Sequence, residues 1–191
     1  FVVGFNRKHF DLSSICPDLK GKWFPFHEKQ KYANPHKKYK WPQAIAFGTK
    51  NIEKPKDIPL QLCLESCLVP KDKESTISNA DEYFNLLGDK RRFSVIQEGE
   101  TNRPSFKRLH RYKYSPTACY GNNEVHLHPY QHRRLSVREA LRIQGVDDSY
   151  VLTTQNLLSK KFKMIGNGVP VPLAKAVAET LKEFIDKLVI L

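Results

Sequence analysis

Arg133–Gly145, reading RRLSVREALRIQG, narrows the folds open to this chain more than any other stretch, because it specifies both ends of one helix. Ser136-Val137-Arg138-Glu139 is a capping-box pattern, in which the serine oxygen and the Glu139 carboxylate satisfy backbone amides reciprocally at the helix start. Val137, Ala140, Leu141 and Ile143 supply an apolar face and Gly145 stops the helix, so a helix is predicted over 136–145. A second fixed point is Gly166-Asn167-Gly168-Val169-Pro170-Val171-Pro172. Two glycines around an asparagine permit a tight bend, and Pro172 suits the first position of a following helix. Leu173, Val177, Leu181, Phe184 and Leu188 then form a stripe to be buried against a sheet.

Upstream, the pattern changes to short elements. Phe1–Phe5 (FVVGF) is an apolar run ending in Asn6-Arg7-Lys8, which suits a strand buried on both faces of a parallel sheet. Pro59–Leu68 places Leu60, Cys63, Leu64, Cys67 and Leu68 at i, i+3, i+4, i+7 and i+8, predicting an amphipathic helix with both thiols on its buried stripe. Asn79–Leu87 predicts a second helix, with Ala80, Tyr83, Phe84 and Leu87 on one face and Gly88 as its stop. Ser115–Tyr120 and Val125–Pro129 read as two strands joined by an exposed Gly121-Asn122-Asn123 loop. The fold class expected is α+β.

Charge is distributed unevenly. The net charge of +12 favours a polyanionic partner through phosphate contacts and counterion release. Glu65–Glu100 holds eight acids against five basic residues and is expected to be scaffold turned away from such a partner. Thr101–Asn123 holds no acid, while Arg103, Lys107, Arg108, Arg111 and Lys113 accumulate there. Gly21–Gly48 alternates aromatics with lysines, a composition that serves either to bind phosphates and stack bases or to form a solvated loop packed over its own rings. The four cysteines, at 16, 63, 67 and 119, form no zinc-ligand pattern and read as free thiols, and the histidines show no metal grouping, with His126 facing solvent. No stretch of about 20 apolar residues is present, so neither export nor membrane insertion is expected and the reading is cytoplasmic and prokaryotic.

The string RRLSVREALRIQG resembles the block "R-[RK]-L-[ST]-x-R-E-x-x-R-[LI]-x-G" of DNA cytosine-5 methyltransferases, and Gly166–Pro172 resembles the same family's "G-N-[SAG]-V-[PV]" turn, in the family's order. Thr117 and Leu127-His128-Pro129 match its recognition strands. The resemblance implies an enzyme that flips a cytosine from the duplex and methylates C5 from S-adenosylmethionine. It also implies that Asn167, Gly168 and Val169 form part of the cofactor wall, through the asparagine amide and backbone amides. The region 11–160, with its supporting helix, would be a target-recognition domain with a small, irregular antiparallel sheet. Residues 1–10 would end a strand of the Rossmann-like catalytic sheet, and 161–191 would pack on that sheet.

The family's Pro-Cys nucleophile and methionine-binding glycine loop have no counterpart here, since Cys16 precedes its proline. The chain is therefore expected to lack the catalytic half and to transfer no methyl group alone. DNA contacts are expected from Arg108, Arg111, Tyr120, Asn122, Asn123, Arg133 and Arg134. Asn122 and Asn123 suit adenine if they are more than a turn, and Arg108 and Arg111 suit guanine or phosphate. Arg133, Arg134, Arg138 and Arg142 serve as ion-pair residues or phosphate contacts, with structure favoured for Arg138 and Arg142 because Glu139 lies within one turn. The partners are then double-stranded DNA and the N-terminal catalytic half, in the same protein or a separate subunit. The rival readings are a non-catalytic DNA-binding subunit and the related transfer RNA methyltransferases. The long basic region Lys20–Asn123 favours DNA.

Overall fold

The computed structural model describes all residues except 1, 2, 5, 7, 12–23, 89, 90, 118, 119, 121–124, 154, 156, 188 and 191. In chain order its elements are β1 (Phe10–Asp11), α1 (Pro35–Lys38), α2 (Arg91–Ser94), β2 (Lys107–Arg108), β3 (His126–Leu127), α3 (Val137–Ile143), α4 (Leu158–Gly166), α5 (Val171–Ile185) and β4 (Val189–Ile190). Single 3-10 turns lie at Phe26–Lys29, Leu60–Leu62, Leu64–Cys67 and Lys71–Lys73. The mixture of helices with two small sheets is α+β, as expected. Residues 34–170 form one compact unit, and 1–33 with 171–191 form another.

In the smaller unit, β1 pairs antiparallel with β4, and α5 packs on the 3-10 turn at Phe26–Lys29, with Lys29 ion-paired to Glu183. The buried residues of α5 are Ala176, Thr180 and Phe184, flanked by half-buried Leu173, Val177 and Leu181. The Thr180 hydroxyl donates to the Ala176 carbonyl at 2.8 Å, so its polar atom is satisfied inside the helix. The helix starts at Val171, which puts Pro172 one residue later than expected but still in the first turn, where a missing amide costs no intrahelical bond. Phe1, Val2, Phe5 and Leu188 lie outside the described residues.

The larger unit is built around α3, which carries both predicted caps. The Ser136 Oγ accepts from the Glu139 amide at 3.2 Å, and the Ser136 amide donates to Glu139 Oε2 at 2.8 Å. At the other end Gly145, at φ 74°, donates to Arg142, and Val146 donates to Leu141 at 3.0 Å, a Schellman arrangement closed by Val146 packing on the same core as Leu141. The buried residues Val137, Ala140 and Leu141 meet Phe162 and Ile165 of α4, together with Leu152 and Tyr120. The valine, leucine, isoleucine and phenylalanine side chains among them contribute roughly 1.5–3 kcal/mol each on burial. A second cluster joins Phe93, Ile96, Val125 and Leu127, and a third joins Leu64, Leu68, Leu109 and Leu135.

Two expected helices are replaced by other structure. Over Pro59–Leu68 the helix breaks at Cys63, in extended conformation, into two 3-10 turns. The Leu64 and Glu65 amides donate to Lys113 and Arg111 carbonyls at 2.9 and 2.8 Å, so tertiary bonds take the amides a helix would use. Cys63 is buried and Cys67 half-buried. Asn79–Leu87 contains no helix: Asn79 stands at φ 64° and Leu87 is 83% exposed. Its carbonyls serve α3 instead, because the Val137 and Arg138 amides donate to Glu82 and Asn79 at 2.9 and 3.0 Å.

The recognition strands also differ from expectation. No strand covers 115–117, and the pair that does form, β2 with β3, is parallel rather than antiparallel. Residues 109–125 supply the long connection that parallel pairing requires. His126, expected in solvent, is buried, with its Nδ1 3.3 Å from the Tyr120 hydroxyl.

Candidate DNA interface and cofactor-facing turn

The arginines divide by what holds them. Arg108 is 0% exposed, with Nε donating to the Ile96 carbonyl at 2.9 Å and its two terminal nitrogens to the His128 and Phe93 carbonyls at 2.7 and 2.8 Å. The guanidinium lies 3.8 Å from the centre of the Phe47 ring, and burial lowers its pKa to about 10, so it remains charged at neutral pH. This placement does not fit the expected contact with guanine or phosphate. Arg108 instead ties β2 to two neighbouring segments from inside.

Arg111 grips buried Glu98 through Nε at 2.9 Å and a terminal nitrogen at 2.8 Å, while its backbone amide adds a third bond to the same carboxylate at 2.9 Å. Arg133 forks onto Glu139 at 2.7 and 2.9 Å and reaches Glu74 at 3.1 Å. For these two, as for Arg108, the guanidinium is directed into the protein. Arg138 holds the Ser78, Asp147 and Tyr150 carbonyls at 2.9, 3.1 and 2.7 Å. Arg142 forks onto Asp148 at 2.9 and 2.6 Å. Both have the structural role expected of them, with Asp148 rather than Glu139 as the closest carboxylate.

Arg134 stands apart. It is half-buried, no carboxylate among the described residues pairs with it, and its buried Nε has no hydrogen-bond partner. Its guanidinium lies 5.1 Å from the Phe84 ring centre and 5.8 Å from that of Phe106. Burial lowers its pKa with no acid to offset the effect. Tyr120 is buried, while Asn122 and Asn123 lie outside the described residues.

The acids of the middle segment act as internal counter-charges. Glu98 serves Arg111, Glu74 serves Arg133, and Glu82 accepts from buried Lys161 at 2.5 Å. Glu139 is buried, which would raise its pKa, but the Arg133 fork and His128 hold its carboxyl well below the usual carboxylate range. His128 Nδ1 accepts from the Tyr130 and Gln131 amides at 3.3 and 3.1 Å, placing the ring proton on Nε2, 3.6 Å from Glu139. Burial lowers the His128 pKa.

The fold brings the two basic segments of the sequence together through aromatic rings. Tyr114, from the acid-free segment, meets Trp41 at 5.0 Å and His36 at 4.5 Å, both edge-on. Lys37, Lys38 and Lys40 are exposed beside them. The rings thus pack edge-on against one another, with Trp41 half-buried and His36 and Tyr114 exposed, while the charges of the loop face outward.

Asn167 caps the C-terminus of α4, its amide donating to the Lys163 carbonyl at 3.0 Å, and its side chain is exposed. The Gly168 amide donates to Ile165 at 3.1 Å, and a Cβ at Gly168 would stand 3.1 Å from that same oxygen. A side chain there would crowd that oxygen, so the close approach favours glycine. The backbone amides of Asn167 and Gly168 are therefore taken by the turn, leaving the Asn167 side-chain amide as the polar group it presents. Val169 is half exposed.

Among the described cysteines, burial pushes both the Cys63 and Cys67 thiols up, away from the thiolate a nucleophile needs. No group of His, Cys, Asp and Glu suited to a metal occurs among the described residues, nor does any helix there have the length and apolarity to cross a membrane.

A family model for C-5 cytosine-specific DNA methylase matches residues 6–183. The chain belongs to this family. It is similar to the type II methyltransferase M.NmeDI of Neisseria meningitidis serogroup C, with 41% identity over 146 residues, 76% of this chain and 34% of that protein. Over 61 residues it is 46% identical to the type II methyltransferase M.BspRI of Lysinibacillus sphaericus, covering 28% of this chain and 14% of that one. Over 51 residues it is 55% identical to DNA (cytosine-5)-methyltransferase 1 of Gallus gallus, covering 27% and 3%. The chain thus spans about a third of the length of M.NmeDI. C-5 cytosine methylases use S-adenosylmethionine, and the exposed Asn167 amide on a glycine-tightened turn fits a role in the wall of such a site. Arg108, Arg111 and Arg133 have a structural function in this methylase chain that charge patterning alone did not separate from DNA contact.

Proposed function

We propose that this chain is the DNA-reading and cofactor-facing portion of a cytosine-5 DNA methyltransferase, whose nucleophilic cysteine and assisting glutamate lie outside its 191 residues. The observation that carries the reading is the joining of the Lys-rich and acid-free segments at Tyr114, which gathers outward-facing positive charge in the unit organised by α3. That unit would hold the duplex, with the lysines on phosphates and the segment around Asn122 and Asn123 toward base edges. Arg134 is the arginine of the block left for nucleic acid, because Arg108, Arg111 and Arg133 are bonded internally.

When bound, S-adenosylmethionine supplies an electrophilic methyl group. The part of this chain in that chemistry is to orient: Asn167 offers its amide to the methionine moiety, Gly168 lets the turn close, and Val169 covers an apolar flank. The α3 block fixes where the recognition loops stand. Neither Cys63 nor Cys67 takes part in attack.

The test is transfer of labelled methyl groups from S-adenosylmethionine to DNA. The chain alone is expected to transfer none, and transfer is expected once it is combined with a polypeptide carrying the family's Pro-Cys half. Methylated cytosine formed by the purified 191 residues alone would overturn the proposal.

A further inference from the structure

A cavity of about 410 Å³ lies within the larger unit, lined by Phe84, Phe106, Tyr120, Arg134, Ser159 and Phe162 among others. Its walls combine two chemistries. The first is aromatic: Phe84 and Phe162 approach at 5.6 Å, and Tyr120 meets Phe162 edge-on at 5.4 Å. The second is a positive charge without compensation, since no carboxylate among the described residues lines the cavity and the buried Nε of Arg134 meets no acceptor. A guanidinium desolvated in this way, with no counter-ion, is costly unless an anion arrives.

Strain is stored at the same place. Among the described residues other than glycine, those with positive φ are three asparagines and Phe106, at φ 52°. A bulky aromatic in the left-handed region costs of order 1–3 kcal/mol and persists only where its surroundings hold it. Here Phe106 is held against Phe93 at 5.2 Å, and its ring stands on the cavity wall under Arg134.

The cavity volume is in the range of small-molecule sites and well above the volume of a phosphate group alone. An occupant must therefore present an anion to Arg134 and a flat apolar body to the rings, the combination found in a nucleotide, whose base stacks on aromatic faces. We propose that this cavity accepts one unpaired nucleotide of the bound DNA, its base against the Phe84 and Phe106 side and its phosphate on Arg134. The inference rests on the DNA-reading role above and assigns that role a pocket distinct from any contact by Arg108 or Arg133.

The experiment compares fluorescence anisotropy of the full chain with a fully paired duplex and with the same duplex carrying a single-nucleotide bulge. The wild-type chain is expected to bind the bulged duplex about tenfold more tightly. Arg134→Gln should abolish that preference, lowering affinity for the bulged duplex more than for the paired one, and Arg134→Lys should retain part of it. Thermal melting of each variant checks the fold, and Phe84→Leu, which keeps the guanidinium but removes a ring, should also reduce the preference. Equal affinity for the two duplexes, or a preference that survives Arg134→Gln, overturns the proposal. Calorimetric titration with deoxyadenosine 5′-monophosphate separates the sources: binding of the mononucleotide without any bulge preference assigns the cavity to a free nucleotide and overturns the DNA assignment. If no duplex binds at all, the DNA-reading role fails, and the mononucleotide titration then decides whether the cavity is a nucleotide site.

Discussion

Replacing Arg108 by alanine is expected to destabilise the larger unit more than it weakens DNA binding. The side chain makes three hydrogen bonds, to the Ile96, His128 and Phe93 carbonyls, all in the interior. Truncation leaves the Ile96 and His128 carbonyls without a partner among the described residues and the Phe93 carbonyl with only the Ile96 amide at 3.3 Å, each lost bond costing about 1–3 kcal/mol, and removes the guanidinium from the Phe47 ring. Against this stands relief from holding a charge in the interior. The lowering of its pKa to about 10 corresponds to a cost of roughly 3 kcal/mol. Water entering the space offsets more, so the net loss is about 4 kcal/mol, a large share of the 5–15 kcal/mol that holds a domain together. For a chain of this size that corresponds to a fall in melting temperature of about 8–16 °C. Thermal melting and urea titration measure the loss, while duplex affinity across a salt series measures phosphate contacts. The reasoning would be refuted if Arg108→Ala melted within about 2 °C of wild type while the slope of log K against log salt fell by about 1, the signature of a lost phosphate contact.

Glu139→Gln keeps the shape of the cap but leaves Arg133 without its buried counter-charge, so a loss of about 2–4 kcal/mol is expected in urea denaturation, and a loss under 1 kcal/mol would contradict the ion-pair account. His128 and His110 both have pKa values lowered by burial, so the unfolded chain binds more protons than the folded one below its ordinary histidine pKa. Stability is therefore full above about pH 6.5 and declines by up to about 1.4 kcal/mol per pH unit and histidine as pH falls below it, a slope that His128→Gln should reduce. In the complete enzyme, Asn167→Ala should weaken S-adenosylmethionine binding by roughly 1–2 kcal/mol with DNA affinity nearly intact. Unchanged cofactor affinity with a lowered melting temperature would make Asn167 a turn residue only.

The parts of the fold that sequence predicts well are those whose determinants are local. The cap of α3 needs only Ser136 and Glu139, its end needs Gly145, and all three act as their residue types imply. The failures have tertiary causes. Pro59–Leu68 has helical spacing, yet the Leu64 and Glu65 amides go to carbonyls nearly 50 residues later, and 3-10 turns that repeat every third residue bury much the same positions. Asn79 is an ordinary helix-start signal in sequence, but its side chain binds the Leu152 amide at 2.9 Å and carbonyl at 2.8 Å, which holds a loop rather than a helix. At the candidate site, positive charge in Thr101–Asn123 marks the segment but not the direction of each arginine. Glu98, the partner that turns Arg111 inward, lies outside the acid-free stretch. No spacing rule separates Arg108 or Arg133, bonded inside, from Arg134, which no acid among the described residues pairs with.

The central claim, that this chain reads DNA sequence, is tested most directly by selection of duplexes bound by the purified chain from a random-sequence pool at physiological salt. The account predicts enrichment of one short motif containing cytosine, with affinity for it at least 10³-fold above that for random duplex. Binding that shows no enriched motif, and that disappears as salt is raised, would reduce the chain to a basic surface and contradict the claim.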